Sequence, residues 1–577
     1  MTRLPMPELK TTVDRMIHAI EGRMTKGLSP ASQILAFTDW LIHMAHSPGK
    51  ISEMAENILR KNSAFLIWSM RAAWDPDLEP FIRPLKDDRR FRDPLWSQFP
   101  YNVISQSFLM HEQWWNYATT NIPGVSSHHE NMVHFAARQW LDMASPTNFA
   151  HTNPVVLDKT LKSGGMNLYQ GMQKLLEDIQ HTLLEQPQSE ADIQVGRDIA
   201  VTPGQVIYRN RLIELIQYSP STETVAAEPI LIVPAWIMKY YILDLSPHNS
   251  MVKFLVERGH TVYMISWHNP GVDDRDLDMQ DYIDLGVMAA LDSISQIQPQ
   301  VGIHAVGYCL GGTLLSICAA AMARDNDSRL QSLTLFTAQT DFTEAGELML
   351  FIDESQLSYM EDIMWDKGYL DTKQMAGAFM LLRSYDLLWS RMVNEYLLGE
   401  VAPMNDLMTW NADATRMPYK MHSQYLRQLF LNNDLASGRY LVKDRPISLR
   451  DIRVPVFAVA TQTDHVAPWR SVYKLNDLFN TEITFVLTSG GHNAGIVSEP
   501  GHPRRHYQIG VQRAEDKYIP PSEWIQNHPS HQGSWWEPWR EWISRHSSGQ
   551  VAPPSAGNPE SGLAPLTPAP GLYVLEK

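Results

Sequence analysis

The stretch Val306-Gly307-Tyr308-Cys309-Leu310-Gly311-Gly312 decides how this chain is read. An apolar run over 301–306 precedes it and has the character of a strand; an apolar helical stretch over 313–323 follows. Glycine two places before and two places after a nucleophile marks a sharp strand-to-helix turn. Backbone segments crowd there, so a Cβ at Gly307 or Gly311 would clash. The nucleophile is Cys309, where most hydrolases with this turn carry serine. The following helix points its N-terminus at the thiol, which favours a thiolate and a developing oxyanion. Cys318 lies farther along that helix and reads as buried packing.

Working outward, short apolar runs at 229–233, 261–267, 301–306, 333–337, 454–461 and 483–487 alternate with helical stretches. Alternation of this kind implies βαβ units and a mostly parallel sheet. With the cysteine turn it predicts an α/β-hydrolase fold over 201–546. A helical insertion over 341–450 interrupts the alternation and reads as a lid. Ten of the 28 methionines fall between Met349 and Met421, and methionine suits irregular apolar surfaces. Residues 1–200 read as a mostly helical N-terminal domain, dense in aromatics around Trp96, Phe99, Tyr101, Phe108, Trp114 and Trp115. These form a helical core or an interaction surface. Trp535, Trp536, Trp539 and Trp542 are expected to pack a terminal helix, and the Pro/Ala-rich stretch 547–577 is expected to be a disordered tail.

A thiol nucleophile needs a base and a group to orient it. In hydrolases of this type the acid and then the histidine follow the nucleophile along the chain. Asp464 stands at the end of the 454–461 run, and His492 sits in Ser489-Gly490-Gly491-His492-Asn493, after the 483–487 run. His492 would take the thiol proton and pass it on. Asp464 would orient the imidazole or accept a substrate hydroxyl proton. His465, next to Asp464, is expected to support the loop. Of two oxyanion donors, Leu310 N–H should give one, and Trp236 or Ile237, after the 229–233 run, the other.

Composition narrows the field. Lys and Arg total 48 against 64 Asp and Glu, a net charge of −16, so no whole-chain basic footprint for nucleic acid exists. Two cysteines cannot build a disulfide framework. No metal-binding His-Glu-x-x-His, paired-cysteine motif, Walker loop or dinucleotide glycine motif is present, and no metal or resident cofactor is expected. No apolar run reaches the roughly 18 residues of a transmembrane helix. The start, Met-Thr-Arg-Leu-Pro, lacks an apolar signal core, and a cytoplasmic location is expected.

Taken jointly, the motifs resemble those of the polyhydroxyalkanoate synthases, in particular the class I-like, poly-3-hydroxybutyrate type. The resemblance runs over about 80–510. It is carried by Asp88-Arg89-Arg90-Phe91, Thr152-Asn153-Pro154, Lys239-Tyr240-Tyr241-Ile242-Leu243-Asp244-Leu245, the Gly-Tyr-Cys-Leu-Gly-Gly box, Trp410-Asn411-Ala412-Asp413 and Asp464-His465. The resemblance implies a Cys309, Asp464, His492 triad. It also implies an acyltransferase that moves (R)-3-hydroxyacyl units from coenzyme A to a growing polyester, coenzyme A entering only as part of the substrate. It implies a homodimer found at the surface of polyester granules, with granule-associated proteins as possible partners. Coenzyme A phosphates need positive charge, and Arg504 and Arg505 form a local basic spot. The chain departs from the common Ser-Gly-His-Ile-Gln pattern with Gly491-His492-Asn493-Ala494, and from a common Pro-Pro pair with Pro234-Ala235. Both positions bear on the preferred monomer length. The competing readings are a thioesterase or polyester depolymerase on the same fold, and a granule scaffold with a vestigial catalytic box.

Overall fold

The computed structural model describes residues 6–25, 27–75, 77–85, 88–184, 193–372, 374, 384 and 388–577. The chain divides into two units: Met1–Gly27, Ala191–Met375 and Met404–Lys577 form one, and Leu28–Glu190 with Ala376–Pro403 form the other.

The first unit is built on a sheet of eleven strands. In chain order they are β1 Gly204–Arg209, β2 Ile213–Tyr218, β3 Ile230–Val233, β4 Val262–Trp267, β5 Ile303–Tyr308, β6 Leu330–Phe336, β7 Val456–Thr461, β8 Ile483–Thr488, β9 His506–Gln512, β10 His531–Gln532 and β11 Thr567–Pro568. Their order across the sheet is β10-β9-β8-β7-β6-β5-β3-β4-β2-β1-β11. The six central strands, β4-β3-β5-β6-β7-β8, pair in parallel, and the flanking ones are antiparallel. Every residue of β3, β5, β7 and β8 is buried. That explains why these strands read as unbroken apolar runs, since a parallel sheet is covered on both faces. β1 and β2 carry Gln, Arg and Glu among their apolar residues and were not legible as strands.

The order at the chain's end corrects one expectation. Residues 547–577 are not a disordered tail. Thr567–Pro568 lines the edge of β1, Gln550–Val551 pairs with Val225–Ala226, and Val574 is buried. Lys239 Nζ donates to the carbonyls of Tyr573 and Glu576, each at 2.9 Å. Proline cannot donate to a ladder, but it is suited to covering a sheet edge. Composition registered the prolines and missed this use. The tryptophans pack as read: Trp535 and Trp539 meet Phe336 at 4.9 and 5.0 Å between centroids, and Trp542 meets Phe457 at 5.4 Å.

Between β6 and β7 the chain leaves the sheet. This insertion holds the helices Glu354–Lys367, Asp406–Asn411 and Tyr419–Gln424. The first twenty-odd residues join this unit as well, although they were read as part of the N-terminal domain. Helix Met6–Thr25 meets Glu354–Lys367, where His18 Nδ1 lies 2.7 Å from Asp362 Oδ2.

The second unit is helical. Its helices start where capping residues fall: Ser29 caps Pro30–Ala45, Ser126 caps Ser127–Met143, and Asn153 caps Pro154–Ser163, which ends at left-handed Gly164. Arg90 is buried here among Asp88, Glu112 and Asp142, with Nη2 2.7 Å from Glu112 Oε1. Part of the expected lid belongs to this unit: Asn167 Nδ2 donates to Leu397 O at 2.8 Å, and Tyr396 Oη to Asp178 at 2.8 Å. Helix Met166–Leu183 exposes Met166, Tyr169, Met172, Leu176 and Ile179. No described helix is long and apolar enough to cross a membrane.

Candidate active site

Parallel pairing sends the C-terminal ends of β5, β7 and β8 to one edge of the sheet, so the loops after them converge. Those loops carry Cys309, Asp464 and His492.

Cys309 follows β5 directly and caps helix Leu310–Arg324 with φ 53° and ψ −124°. A non-glycine residue held there stores backbone strain, which the surroundings must enforce. The glycines explain the enforcement. A Cβ on Gly307 would run into the backbone of Gly312, and one on Gly311 into the carbonyls of Val233 and Pro234. Cys309 N–H donates to Phe336 O at 2.8 Å, which ties the turn to β6. The helix behind it is buried from Leu310 to Met322, including Cys318.

His492 Nδ1 lies 2.7 Å from Asp464 Oδ2, and the Cys309 thiol is near enough to the imidazole to favour its charged form. Asp464 Oδ2 also accepts from Thr461 Oγ1 at 3.1 Å, while Oδ1 accepts from Val466 and Ala467 N–H at 2.9 and 2.8 Å. The Asp464 side chain is 0% exposed and that of His492 10%. Burial alone would push the Asp464 carboxyl up; the His492 charge and the donated hydrogen bonds outweigh it and hold the group below the usual carboxylate range. Burial would likewise pull His492 down, yet Asp464 and Cys309 raise it well above an ordinary imidazole. The arrangement can hold a proton on the imidazole between a carboxylate and a sulfur.

The imidazole that meets Asp464 Oδ2 at 2.7 Å is that of His492, and the backbone carbonyl of His465 lies against Gly346. Leu310 opens the helix, where its N–H has no intrahelical acceptor. The loop with Trp236 and Ile237 lies against the elbow through Pro234 and Gly311. It is pinned by Thr415, whose Oγ1 donates to Trp236 O at 2.5 Å and whose N–H donates to Ile237 O at 3.1 Å. The Trp236 ring, 1% exposed, packs on Tyr282 and Tyr425.

Arg504 and Arg505 lead into β9. Arg505 sits beside Gly490, and its buried Nε has no hydrogen-bond partner among the described residues. Among the described residues no group of three His, Cys, Asp or Glu is placed to hold a metal.

Residues 8–50 and 87–255 match the families described as poly-beta-hydroxybutyrate polymerase N-terminal regions, and residues 228–499 match the alpha/beta hydrolase fold. A poly(3-hydroxyalkanoate) polymerase from Methylorubrum extorquens is 40% identical over 96% of this chain and 93% of its own. The chain belongs to the poly(3-hydroxyalkanoate) polymerases. Other polymerases of the family are 38% identical in Rhizobium meliloti, over 96% of this chain and 88% of that one, and 32% in Cupriavidus necator, over 96% and 93%. Among solved structures, a putative hydrolase from Agrobacterium vitis is 14% identical with a TM-score of 0.31, covering 52% of this chain and 94% of that one. As a polymerase of this family the chain is an acyltransferase enzyme on an α/β-hydrolase fold.

Sequence reasoning missed three supports of the site. Trp535 and Trp536 donate from their indole N–H groups to Gly495 O and Ile496 O, each at 2.9 Å, and so hold the histidine loop. Tyr308 Oη donates to Asn493 Oδ1. Only the tryptophans left a signal, as a cluster without an assigned partner.

Proposed function

We propose that this polymerase builds polyester by passing (R)-3-hydroxyacyl units from coenzyme A through a thioester on Cys309. The observation that carries the reading is the Cys309–His492–Asp464 line at the sheet edge. His492 takes the thiol proton, and the Cys309 thiolate adds to the carbonyl of the incoming thioester. Leu310 N–H and an N–H from Trp236 or Ile237 hold the oxyanion, each donor worth about 3 kcal/mol. The carbon–sulfur bond to coenzyme A breaks, its thiolate takes the proton from His492, and the acyl group remains on Cys309. The 3-hydroxyl of the next unit then attacks; its proton goes to His492, and the ester that forms returns the Cys309 thiolate. Asp464 has both oxygens occupied by donors and no exposure, which supports His492 rather than Asp464 as acceptor of that proton.

Cysteine suits this chemistry because transfer between thiols is close to isoenergetic. The buried wall of Trp236 and Tyr425 keeps water from the acyl-enzyme. Arg504 and Arg505 contact the coenzyme A phosphates, a role supported by the unpartnered Arg505 Nε. The exposed apolar residues of helix Met166–Leu183 support contact with a granule surface. The protein works as a cytoplasmic homodimer at that surface, without a resident cofactor.

The deciding experiment supplies purified enzyme with (R)-3-hydroxybutyryl-CoA and follows both free thiol and acyl product. Thiol release with insoluble polyester is the expected result. Thiol release with only free 3-hydroxybutyrate would make the chain a thioesterase.

A further inference from the structure

Tyr308 closes β5 immediately before Cys309, and Asn493 immediately follows His492. Tyr308 Oη donates to Asn493 Oδ1 at 2.6 Å. The bond therefore joins the residue beside the nucleophile to the residue beside the base. The Tyr308 ring also lies against the His492 imidazole, 5.8 Å between centroids at 39°. Tyr308 is 2% exposed, so its hydroxyl must find an acceptor inside the protein. Asn493 Nδ2 reaches onward to Asn411 Oδ1, at the end of helix Asp406–Asn411 in the insertion, but at 3.4 Å this contact is long. Asn493 is also where the chain departs from the isoleucine common in the sequence pattern it resembles.

We propose that Tyr308 and Asn493 act together as positioning residues for His492. The proposal rests on the reading of Cys309 as nucleophile and His492 as its base. Asp464 holds one imidazole nitrogen, and one hydrogen bond leaves the ring free to tilt about that contact. The Tyr308 ring limits the tilt from one side. The Tyr308–Asn493 bond fixes the loop peptide that carries His492, at a set distance from the elbow. Together they keep the second imidazole nitrogen on the sulfur, as the supporting shell of a preorganised site must. The ionisable groups facing the Cys309–His492 pair are Asp464, Tyr308 and Tyr425.

The test uses the full chain and three variants: Tyr308→Phe, Asn493→Leu and the double substitution. The first readout is the rate of iodoacetamide alkylation of Cys309 against pH, which needs no substrate. The others are kcat and KM with (R)-3-hydroxybutyryl-CoA, and the thermal midpoint. Each single variant is expected to move the acid limb of the alkylation profile up by about one pH unit and to lower kcat about ten-fold, with KM little changed. The double variant is expected to be no worse than the poorer single one, because one bond is lost in all three. An unmoved alkylation profile with a lower thermal midpoint would make the bond merely structural. Additive losses would show that the two residues do not act through each other. Tyr308→Phe removes a single oxygen, so it carries the test if Asn493→Leu fails to fold. Failure of the polyester reading shows separately, as free hydroxy acid from the unaltered enzyme.

Discussion

Strand β5 has a histidine at each end, and the two are opposites. His304, near its start, is buried between Ser332 Oγ at 2.7 Å and Ser547 Oγ at 3.1 Å. Burial pulls its imidazole down to about 4, and the Glu228 charge, which raises it, is too weak to reverse the effect. His492, which meets the other end through Cys309, is buried too, yet it is raised well above the ordinary value by Asp464 and the thiol. Burial alone makes an imidazole a neutral packing group. A carboxylate and a sulfur beside it outweigh burial and favour a proton on the imidazole. Of 21 histidines, His492 is set apart by having both a carboxylate and a thiol beside it, whereas His268, paired with Glu576 and Asp274, is raised by carboxylates alone.

The sharpest way to break the contrast is to remove the sulfur. Cys309→Ala is expected to abolish the acyl-enzyme and lower turnover by more than about 1,000-fold while leaving the thermal midpoint close to the parent. Retained polymer formation would end the covalent scheme. Next comes the carboxylate. Asp464→Asn is expected to cost about 100- to 10,000-fold in kcat, because the imidazolium loses its partner and its fixed orientation. A variant with normal turnover would show that His492 does not depend on Asp464.

His304 tests the other end. Its folded value lies below the unfolded value of about 6.5, so the unfolded chain binds the extra proton first. The stability tied to its neutral form is complete above pH 6.5 and is lost as the pH falls from there toward 4. At pH 5 the loss is about 2 kcal/mol. His304→Gln should lessen the fall in denaturant midpoint between pH 7 and pH 5, with kcat nearly unchanged; an unaltered pH slope would show that His304 is not the group responsible. The smallest effect is expected at Cys318, whose thiol burial pushes far up. Cys318→Ala should cost about 1 kcal/mol or less and leave activity intact, and mass spectrometry after iodoacetamide should find one label per chain, on Cys309. Labelling at Cys318 in the folded protein would contradict its burial.

The elbow end of β5 and the loops that bear Asp464 and His492 were legible because local rules specify them. Gly307 and Gly311 must be glycine where backbones touch, and Asp464 and His492 must follow strands whose ends share one sheet edge. What escaped the sequence depends on contacts between distant segments. Tyr308 and Asn493 are ordinary residues until folding brings them together. The antiparallel strands β1 and β2 are broken by Gln, Arg and Glu, so their apolar pattern is weak. The last thirty residues read as disordered because their prolines were weighed without the sheet edge they cover. Residues 376–403 carry no marker in their composition that would assign them to the helical unit.

The seating of the chain's end has a consequence for synthesis on the ribosome. The loop that bears Trp236 leads to Lys239, whose ammonium is held by the carbonyl of Tyr573, 334 positions later. A chain emerging at about 5–20 residues per second exposes the cysteine elbow well before that anchor is made. The loop gains this tether only once the residues around Tyr573 have left the exit tunnel, so the elbow and its neighbouring loop wait on a contact made more than three hundred residues later.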